Sequence, residues 1–365
     1  MPIKVSVVIP VYNAKDYLQD CINSLLNQTL QDCEYIFVND GSTDNSCEII
    51  EDYQKKDDRI VLINQENKGI GEARNTGIKI AQGEYLGFLD NDDFFKSDFL
   101  EALYNTASRN DLDILISKTI LGRDNKFIIK ENGFETNLIF DNVFIQQNII
   151  PNLLRTEDLF AVWNKIYKLN FIKKNGISFP ANRVIEEDNM FNIQAFNKAQ
   201  KVLFTNYAGY YYREVANSKS RLTIENDYFA KALEKYHFDY KKQYNLPISE
   251  IEIEKLKAIR FIQRVFYLAF KCSVSKIPFK TKWSYIHHMV FHETVYDLAQ
   301  KYKKEVLEGK GIYEKAVLRI IVTKSYFSLL FLVLSIKTGY HPRISETIRY
   351  LNTLSKNAAS APENI

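Results

Sequence analysis

The chain has 365 residues and a mass of 42.6 kDa, with 46% apolar and 25% charged residues. This composition argues against a disordered, collagen-like or coiled-coil protein, and the length predicts a main domain with an appendage. The net charge of +3 conceals a division, because residues 1–110 carry 10 Lys+Arg and 19 Asp+Glu whereas residues 231–365 carry 23 and 12. Net charges of −9 and +11 at the two ends of the chain indicate two different kinds of partner.

Strand-like and helix-like patterns alternate through the first 90 residues. Strands are predicted at 4–9, 34–38, 60–63 and 84–89, and helices at 15–27, around Ile49 to Tyr53, and at about 72–82. This alternation predicts an α/β fold with a mostly parallel sheet and helices on both faces. Ligands bind such sheets beyond the carboxyl ends of the strands. Asn13, Asp40, Asn67 and the segment Asp90–Asp93 all follow predicted strands, so that edge is the predicted ligand site.

The pattern is less regular after residue 111. We predict strands within 112–130 and 201–213, and helices at 141–150, 186–199, 225–245 and 250–272. On this basis the chain divides into residues 1–110, residues 111–222, a helical basic region at 223–355 and a flexible tail at 356–365.

Two carboxylates separated by one residue follow the fourth predicted strand. Asp90 and Asp92 suit a shared divalent cation, since Mg²⁺ and Mn²⁺ prefer oxygen ligands and often bridge protein carboxylates to phosphates. The alternative interpretation is an acidic turn that caps the next helix. The polar residues at the other strand ends favour the metal site.

Four sequence segments occur in the order and at the spacing that one protein family shows. In order, they read SVVIPVYNAKDYLQDCINSLLNQT, IFVNDGSTDNS, ENKGIGEARNTGI and GEYLGFLDNDD. They closely resemble the nucleotide-sugar-binding half of the inverting family 2 glycosyltransferases, which have the GT-A fold. The resemblance covers residues 3–105 and continues more thinly to about 220. It implies that residues 1–110 bind the nucleotide-sugar and residues 111–222 bind the acceptor.

The resemblance also implies roles for individual residues. Those expected to bind the nucleotide-sugar are Pro10, Tyr12, Asn13, Asp40, Asn67, Gly69, Arg74, Asn75, Asp90 and Asn91. Tyr12 would flank a uracil, and Asp40 would accept the uracil N3–H, as a carboxylate can. Asp92, together with Asp90, would hold a divalent cation, Mn²⁺ or Mg²⁺, whose charge assists departure of the diphosphate. The family usually has two acids before GST, whereas this chain has Asn39-Asp40.

Inversion at the anomeric carbon requires a general base on the acceptor side. The family takes this base from an acidic motif before a helix, and Glu186-Glu187-Asp188 occupies that position here. We therefore expect Asp188 to be the base, with Glu187 as the second choice. A purely structural alternative is that these acids stabilise the positive end of the following helix.

Three further residues are expected near the acceptor or the diphosphate. Trp163 and Lys165 lie in a WNK segment that matches a family position near the acceptor pocket, where Trp163 would stack on a sugar face. A buried aromatic residue is the alternative for Trp163. Arg213, in a segment that resembles the family's YR…NS motif, would supply positive charge to the diphosphate.

The basic end contains a short apolar run. Residues 316–336 are interrupted by Arg319 and Lys324, and the uninterrupted part, 325–336, is shorter than the ~20 residues that span a bilayer as a helix. Flanking cations favour a helix that lies on an anionic membrane surface, and a core helix is the alternative. Nucleic acid is a disfavoured partner, because the sequence has no motif for it and the acidic N-terminal region repels phosphates.

Together these features predict a metal-assisted inverting glycosyltransferase. It would move a hexose or N-acetylhexosamine from a UDP-sugar to a glycan or lipid-linked acceptor in bacterial cell-surface polysaccharide synthesis. Because MPIKVSVVIP does not resemble a signal peptide, we expect a cytoplasmic protein, peripheral at the inner face of the plasma membrane, and an oligomer is compatible with this. The alternatives are a nucleotidyltransferase, whose Gly-rich loop after the first strand is missing, and a non-catalytic sugar-binding or scaffold subunit.

Overall fold

The computed structural model describes residues 2–123, 126–181, 186–213 and 227–337. It divides the chain into two compact units, Met1–Asn217 with Tyr244–Pro247 and Ser218–Gln243 with Ile248–Ile365. The predicted boundary at residues 222 and 223, the Asn217-Ser218 part of the YR…NS motif and the predicted tail at 356–365 lie outside the described residues.

The first unit begins with the strand and helix alternation that the sequence predicts. Its strands are β1 (Val5–Val11), β2 (Cys33–Asp40), β3 (Ile60–Gln65), β4 (Tyr85–Phe88), β5 (Phe94–Phe95), β6 (Ile114–Arg123), β7 (Lys126–Lys130), β8 (Ile139–Phe140), β9 (Lys165–Lys168) and β10 (Val202–Arg213). Its helices are α1 (Lys15–Leu26), α2 (Ser46–Gln54), α3 (Ile70–Ile80), α4 (Phe99–Asn110), α5 (Asn142–Phe144), α6 (Ile150–Arg155), α7 (Leu169–Lys174) and α8 (Glu187–Lys198), with a π-helical turn at Ile145–Ile149 between α5 and α6.

The ten strands of the described residues form one mixed sheet with the order β3-β2-β1-β4-β9-β6-β10-β5, while β7 pairs with β6 and β8 with β10. Strands β3, β2, β1 and β4 are parallel. Strand β9 lies antiparallel between β4 and β6. The predicted α/β class with a mostly parallel sheet is therefore confirmed, and the inserted antiparallel strand is a feature that local patterns did not reveal.

Parallel pairing brings the predicted site residues to one edge of the sheet. The register aligns Val11 with Asn39 and Asp40 with Gln65, so the ends of β1, β2 and β3 are adjacent. Helix α3 packs closely on β1, since a Cβ atom at Gly77 would lie 2.4 Å from Cγ1 of Val8. Gly77 is therefore a packing glycine, and it sets the height of α3 above the sheet.

The second unit is helical in its described residues, which confirms the predicted helical C-terminal region. In chain order the helices are α9 (Tyr228–His237), α10 (Tyr240–Tyr244), α11 (Glu250–Val274), α12 (Phe279–Val290), α13 (Glu293–Lys301), α14 (Lys303–Val306), α15 (Ile312–Thr323) and α16 (Tyr326–Lys337). The long helix α11 supplies many of the core residues, among them Ile262, Val265 and Ala269.

The apolar run of the second unit forms two helices rather than one. Lys324 adopts a left-handed conformation with φ of 50° between α15 and α16. On α16, Leu329 and Val333 join the core, whereas Phe327 is 82% and Phe331 is 70% exposed. One face of α16 thus packs in the core, as the alternative of a core helix predicts, and the other face is exposed to solvent. No helix among the described residues is long and apolar enough to cross a membrane.

Candidate active site

Polar side chains at the ends of β1 and β4 fasten neighbouring loops to one another. Asn13 adopts a left-handed φ of 52°, which asparagine tolerates, and its Oδ1 accepts the backbone N–H of Thr43 at 2.8 Å. Asn91 Nδ2 donates to the carbonyl oxygen of Pro10 at 2.8 Å. Tyr12 lies between these two fixed positions and is 41% exposed. The structure therefore brings residues 10–13 next to Asn91 and to the loop that contains Thr43.

Asp40 organises the loop that follows β3. Its Oδ1 accepts the backbone N–H of Lys68 and the Gln65 side-chain amide, each at 2.8 Å, and its Oδ2 accepts the backbone N–H of Gly69 at 2.8 Å. Gly69 has a φ of 98°, a conformation that favours glycine. The loop also carries Asn67. A carboxylate accepts about four hydrogen bonds, so Asp40 has capacity beyond these three.

A buried arginine joins two of the predicted acids. Arg74 is 2% exposed, and its Nη2 lies 2.8 Å from Asp90 Oδ1 while its Nη1 lies 2.6 Å from Asp188 Oδ1. Glu187 Oε1 is 3.8 Å from the same Nη1. The guanidinium carbon Cζ also lies 5.2 Å from the centroid of the Phe179 ring. The sequence predicted that Arg74 binds the nucleotide-sugar, and the structure shows that its guanidinium bridges Asp90 and Asp188.

Asn75 supports this arrangement from the backbone side. Its Oδ1 accepts the Phe179 N–H at 2.8 Å, and its Nδ2 donates to the Phe179 carbonyl oxygen at 3.0 Å. Both polar atoms of the side chain are thus used in fixing the residue that lies beneath Arg74. This contact spans 104 positions of the chain, so the sequence alone offered no signal for it.

The environment of Asp188 suits a proton acceptor. Burial raises the pKa of Asp188 to about 7; Arg74 opposes this shift, and the carboxylates of Glu187 and Asp90 add to it. A base is most effective when its pKa lies near the working pH. The second oxygen, Oδ2, accepts the backbone N–H of Val162 at 3.4 Å. Both carboxylate oxygens of Asp188 are therefore in contact with the neighbouring structure.

The acidic loop after β4 contains a third carboxylate that the sequence interpretation did not select. Asp93 is 1% exposed and accepts hydrogen bonds from the Tyr210 hydroxyl at 2.6 Å and from the Arg213 backbone N–H at 2.8 Å. Burial raises the pKa of Asp93 to about 8 and also raises the pKa of Asp92, with Asp90 contributing to both shifts. Asp93 thus fastens the acidic loop to β10.

Trp163 and Lys165 face different ways. The Trp163 ring stacks on Tyr210 at 4.2 Å and on Tyr212 at 5.7 Å between centroids, and it is only partly buried. Lys165 is 1% exposed, and its Nζ donates to Asn164 Oδ1 at 3.0 Å and to backbone carbonyl oxygens. The prediction that Lys165 contacts the acceptor does not fit this burial, because its ammonium group points beneath the surface.

Arg213 is held at the end of β10 by an aromatic and acidic pocket. Its guanidinium lies 5.2 Å from the Tyr17 ring and 5.3 Å from the Phe94 ring. Its Nη2 is 2.9 Å from Asp20 Oδ2. Arg213, whose positive charge was predicted to interact with the diphosphate, is therefore paired with Asp20 in this structure.

Arg74 gives rise to a stability prediction. Arg74→Met leaves the Asp90 and Asp188 carboxylates without their shared cation, so the free energy of unfolding should fall by about 3–5 kcal/mol. The loss should be smaller at pH 5 than at pH 8, because protonation of Asp188 removes one of the unpaired charges. Urea unfolding at both pH values measures this effect. As a control, Lys55→Met removes the solvent-exposed pair with Asp52 and should leave the free energy of unfolding nearly unchanged; equal losses for both variants contradict the prediction.

Part of the chain is similar to known glycosyltransferases. Residues 6–166 match the family described as Glycosyl transferase family 2. The uncharacterized glycosyltransferase EpsJ of Bacillus subtilis (strain 168) is 36% identical over 218 residues, which cover 60% of this chain and 63% of EpsJ. The poly(ribitol-phosphate) beta-glucosyltransferase of Bacillus spizizenii is 36% identical over 214 residues, which cover 57% of this chain and 32% of that enzyme. The chain thus spans less than two thirds of either relative.

A solved structure agrees on the fold. The crystal structure of S. aureus TarS 1–349 in complex with UDP-GlcNAc superimposes with a TM-score of 0.59 at 21% identity, and covers 89% of this chain and 93% of that one. At this identity the likeness concerns the fold alone, and it confirms the GT-A expectation. Residues 6–166, which are less than half of the chain, are thus similar to the family 2 glycosyltransferases.

Proposed function

We propose that the protein transfers a hexose or N-acetylhexosamine from a UDP-sugar to a glycan or lipid-linked acceptor, with inversion, in bacterial cell-surface polysaccharide synthesis. The observation that carries this proposal is the bridge by Arg74 between Asp90, at the end of β4, and Asp188, at the start of α8. In the proposal Asp90 acts on the donor side, and the bridge keeps it close to Asp188, whose pKa is raised by burial. Relatives named as glycosyltransferases and the UDP-GlcNAc complex of TarS support the assignment.

In this proposal the two parts of the first unit hold different substrates. Residues 1–110 bind the nucleotide-sugar, with Tyr12 against the base and Asp40 using its remaining acceptor capacity for the uracil N3–H. Residues 111–222 bind the acceptor, with Trp163 presenting a ring to a sugar face. Both sites meet at the carboxyl edge of the sheet, where GT-A and other open α/β folds bind ligands.

Asp188 is the proposed general base. Its carboxylate takes the proton of the acceptor hydroxyl as that oxygen forms a bond to the anomeric carbon, and the nucleoside diphosphate leaves from the opposite face. Arg74 orients the Oδ1 atom and opposes premature protonation, while the Val162 N–H lies against Oδ2. Glu187, at 3.8 Å from Arg74, is the second choice for the same role.

A divalent cation, Mn²⁺ or Mg²⁺, fits the acidic loop after β4. The loop places three carboxylates within four residues, and the nearby cations Arg74 and Arg213 are paired with Asp90 and Asp20. No three His, Cys, Asp or Glu residues of the described chain are grouped closely enough to hold a metal. In the proposal, Asp92 and Asp90 would supply two carboxylate ligands, and diphosphate oxygens and water would supply the others. Such a cation stabilises the negative charge of the leaving diphosphate.

The base assignment predicts a selective loss of transfer. Asp188→Asn should reduce sugar transfer by about 10²–10⁴-fold, because the acceptor hydroxyl loses its proton acceptor, and should preserve UDP binding. Transfer is measured with labelled UDP-Glc, UDP-Gal, UDP-GlcNAc and UDP-GalNAc, and UDP binding by calorimetry. Glu187→Gln is the matched control and should retain most of the activity.

Three further results would contradict the base assignment or favour a rival function. Near-normal transfer by Asp188→Asn would sink the base assignment. Formation of a nucleotide-sugar from UTP and a sugar phosphate would indicate a nucleotidyltransferase. Donor binding without any turnover of the parental protein would indicate a sugar-binding or scaffold subunit.

The metal assignment predicts a dependence on Asp92. Removal of divalent cations with EDTA should abolish transfer, and Mn²⁺ or Mg²⁺ should restore it. Asp92→Ala should raise the Mn²⁺ concentration that gives half-maximal transfer by about tenfold or more, since the loss of a ligand weakens a cation site. The exposed Asp52, paired with Lys55, provides the control variant Asp52→Ala. Full activity in EDTA contradicts the assignment.

We also propose that the second unit binds an anionic membrane surface at the cytoplasmic face. On α16, the exposed Phe327, Phe331 and Leu334 are spaced as one stripe of a helix. The exposed cations Lys315, Arg319 and Lys324 precede it in the chain. Apolar side chains that enter the interface, together with cations that attract anionic lipids, are the two components of interfacial binding.

Flotation with vesicles tests this surface in the full-length protein. Phe327→Ser/Phe331→Ser should reduce binding to phosphatidylglycerol-containing vesicles by roughly tenfold or more, because each phenyl ring contributes about 1.5–3 kcal/mol when fully buried. The control Phe127→Ser/Ile129→Ser changes two exposed apolar residues of β7 in the first unit. Equal flotation of both double variants argues against α16 as the membrane contact.

A further inference from the structure

A buried lysine lies beneath the segment that leads into Trp163. Lys165 begins β9, and its Nζ donates to the carbonyl oxygen of Leu159 at 3.2 Å, to Asn164 Oδ1 at 3.0 Å and to the carbonyl oxygen of Ala161. Burial lowers the pKa of Lys165 to about 7. A buried ammonium group is costly unless other oxygens replace its water, and here three neutral oxygens do so.

A buried asparagine donates to the same segment. Asn192 is fully buried on α8, and its Nδ2 donates to the carbonyl oxygen of Phe160 at 2.6 Å, with the carbonyl oxygens on either side at 3.2 Å. The Tyr167 hydroxyl donates to Asn192 Oδ1 at 2.7 Å, which fixes the orientation of the amide. Three successive carbonyl groups are therefore turned towards two buried donors.

This arrangement determines where the next two residues point. These carbonyl groups belong to the segment 159–163, which is called the 159–163 loop below. With its carbonyl groups directed inwards, the loop presents the Val162 N–H to Asp188 Oδ2 at 3.4 Å, and Trp163 stacks on Tyr210. Asn192 and Asp188 are four residues apart on α8, a spacing that places them on one face of the helix. The helix that carries Asp188 thus also holds the loop that contacts it.

We propose that Lys165 and Asn192 are positioning residues for the transfer reaction, which act on Asp188 and Trp163 through the 159–163 loop. The inference rests on the proposed function, in which Asp188 is the base and Trp163 faces the acceptor. An ammonium group suits this place because it offers three donors and no acceptor. An apolar side chain of similar length fills the space but leaves the buried carbonyl groups unsatisfied, which frees the loop to reorient.

Two variants and a matched control test the inference. Lys165→Met should reduce the transfer rate at saturating substrate by about 10- to 100-fold, as expected for a misplaced catalytic group, with an unchanged donor dissociation constant. Tyr167→Phe removes only the hydrogen bond that orients Asn192, and should cause a smaller loss of the same kind. The control Lys282→Met removes another buried lysine, whose Nζ donates to the carbonyl oxygens of Ser273 and Ser275 in the second unit, and should leave the transfer rate unchanged.

Hydrogen–deuterium exchange supplies a readout that does not depend on activity. Backbone exchange in residues 159–163 should increase in Lys165→Met and in Tyr167→Phe, and should stay at the parental level in Lys282→Met. Parental exchange in this loop, or a parental transfer rate in folded Lys165→Met, overturns the inference. If Lys165→Met does not fold, the exchange in residues 159–163 and the transfer rate of Tyr167→Phe decide the question.

The failure of the proposed function is distinguishable from the failure of this inference. If Asp188→Asn retains parental transfer, the base assignment is wrong, whatever the behaviour of Lys165→Met. If Asp188→Asn is inactive while Lys165→Met and Tyr167→Phe transfer at the parental rate, the base assignment stands and the positioning role is refuted.

Discussion

The arrangement of the site depends on one buried guanidinium. Arg74 has lost its contact with water and is compensated by Asp90 and Asp188, which come from distant parts of the chain. Removing one partner of a buried ion pair costs about 3–5 kcal/mol, so the end of β4, helix α3 and the start of α8 are coupled energetically. The close approach of α3 to β1 at Gly77 sets the position from which Arg74 reaches both acids. Packing far from the chemistry therefore fixes the distance between the proposed donor-side acid and the proposed base.

The surplus of acids over cations in this region has a consequence for binding. A nucleoside diphosphate is repelled by Asp90, Asp92 and Asp188 unless positive charge accompanies it, and both nearby arginines are already paired with carboxylates. Under the proposed function, cation and donor therefore bind with positive coupling, and each increases the affinity for the other by the same factor. Under the proposed function, the pairing of both arginines with carboxylates makes donor binding conditional on the metal.

The parts that could be predicted from sequence are those encoded by local patterns. Apolar runs and their spacing predicted strands β1 to β4 and the polar residues at their carboxyl ends, because strand period and turn chemistry are properties of neighbouring residues. The pairing of Arg74 with Asp188 joins positions 114 residues apart, and no local pattern carries that information. The inward orientation of Lys165 was missed for a related reason: a lysine in a motif reads as a ligand contact, whereas only the tertiary structure shows the carbonyl groups that enclose it. Asp93 was predicted at the ligand edge of the sheet, but its role in fastening the loop was not, because its partners lie on β10.

The charge division between the two ends of the chain also changes meaning in the structure. Several cations of the second unit are buried, namely Lys235, Lys257, Arg260 and Lys282. Lys257 and Lys282 donate to backbone carbonyl oxygens, so they serve to satisfy the fold rather than to attract a partner. The balance of +11 in residues 231–365 therefore overstates the charge available at the surface. Only surface cations steer association with anionic lipids. The exposed phenylalanines of α16 are therefore a stronger argument for membrane binding than the net charge of residues 231–365.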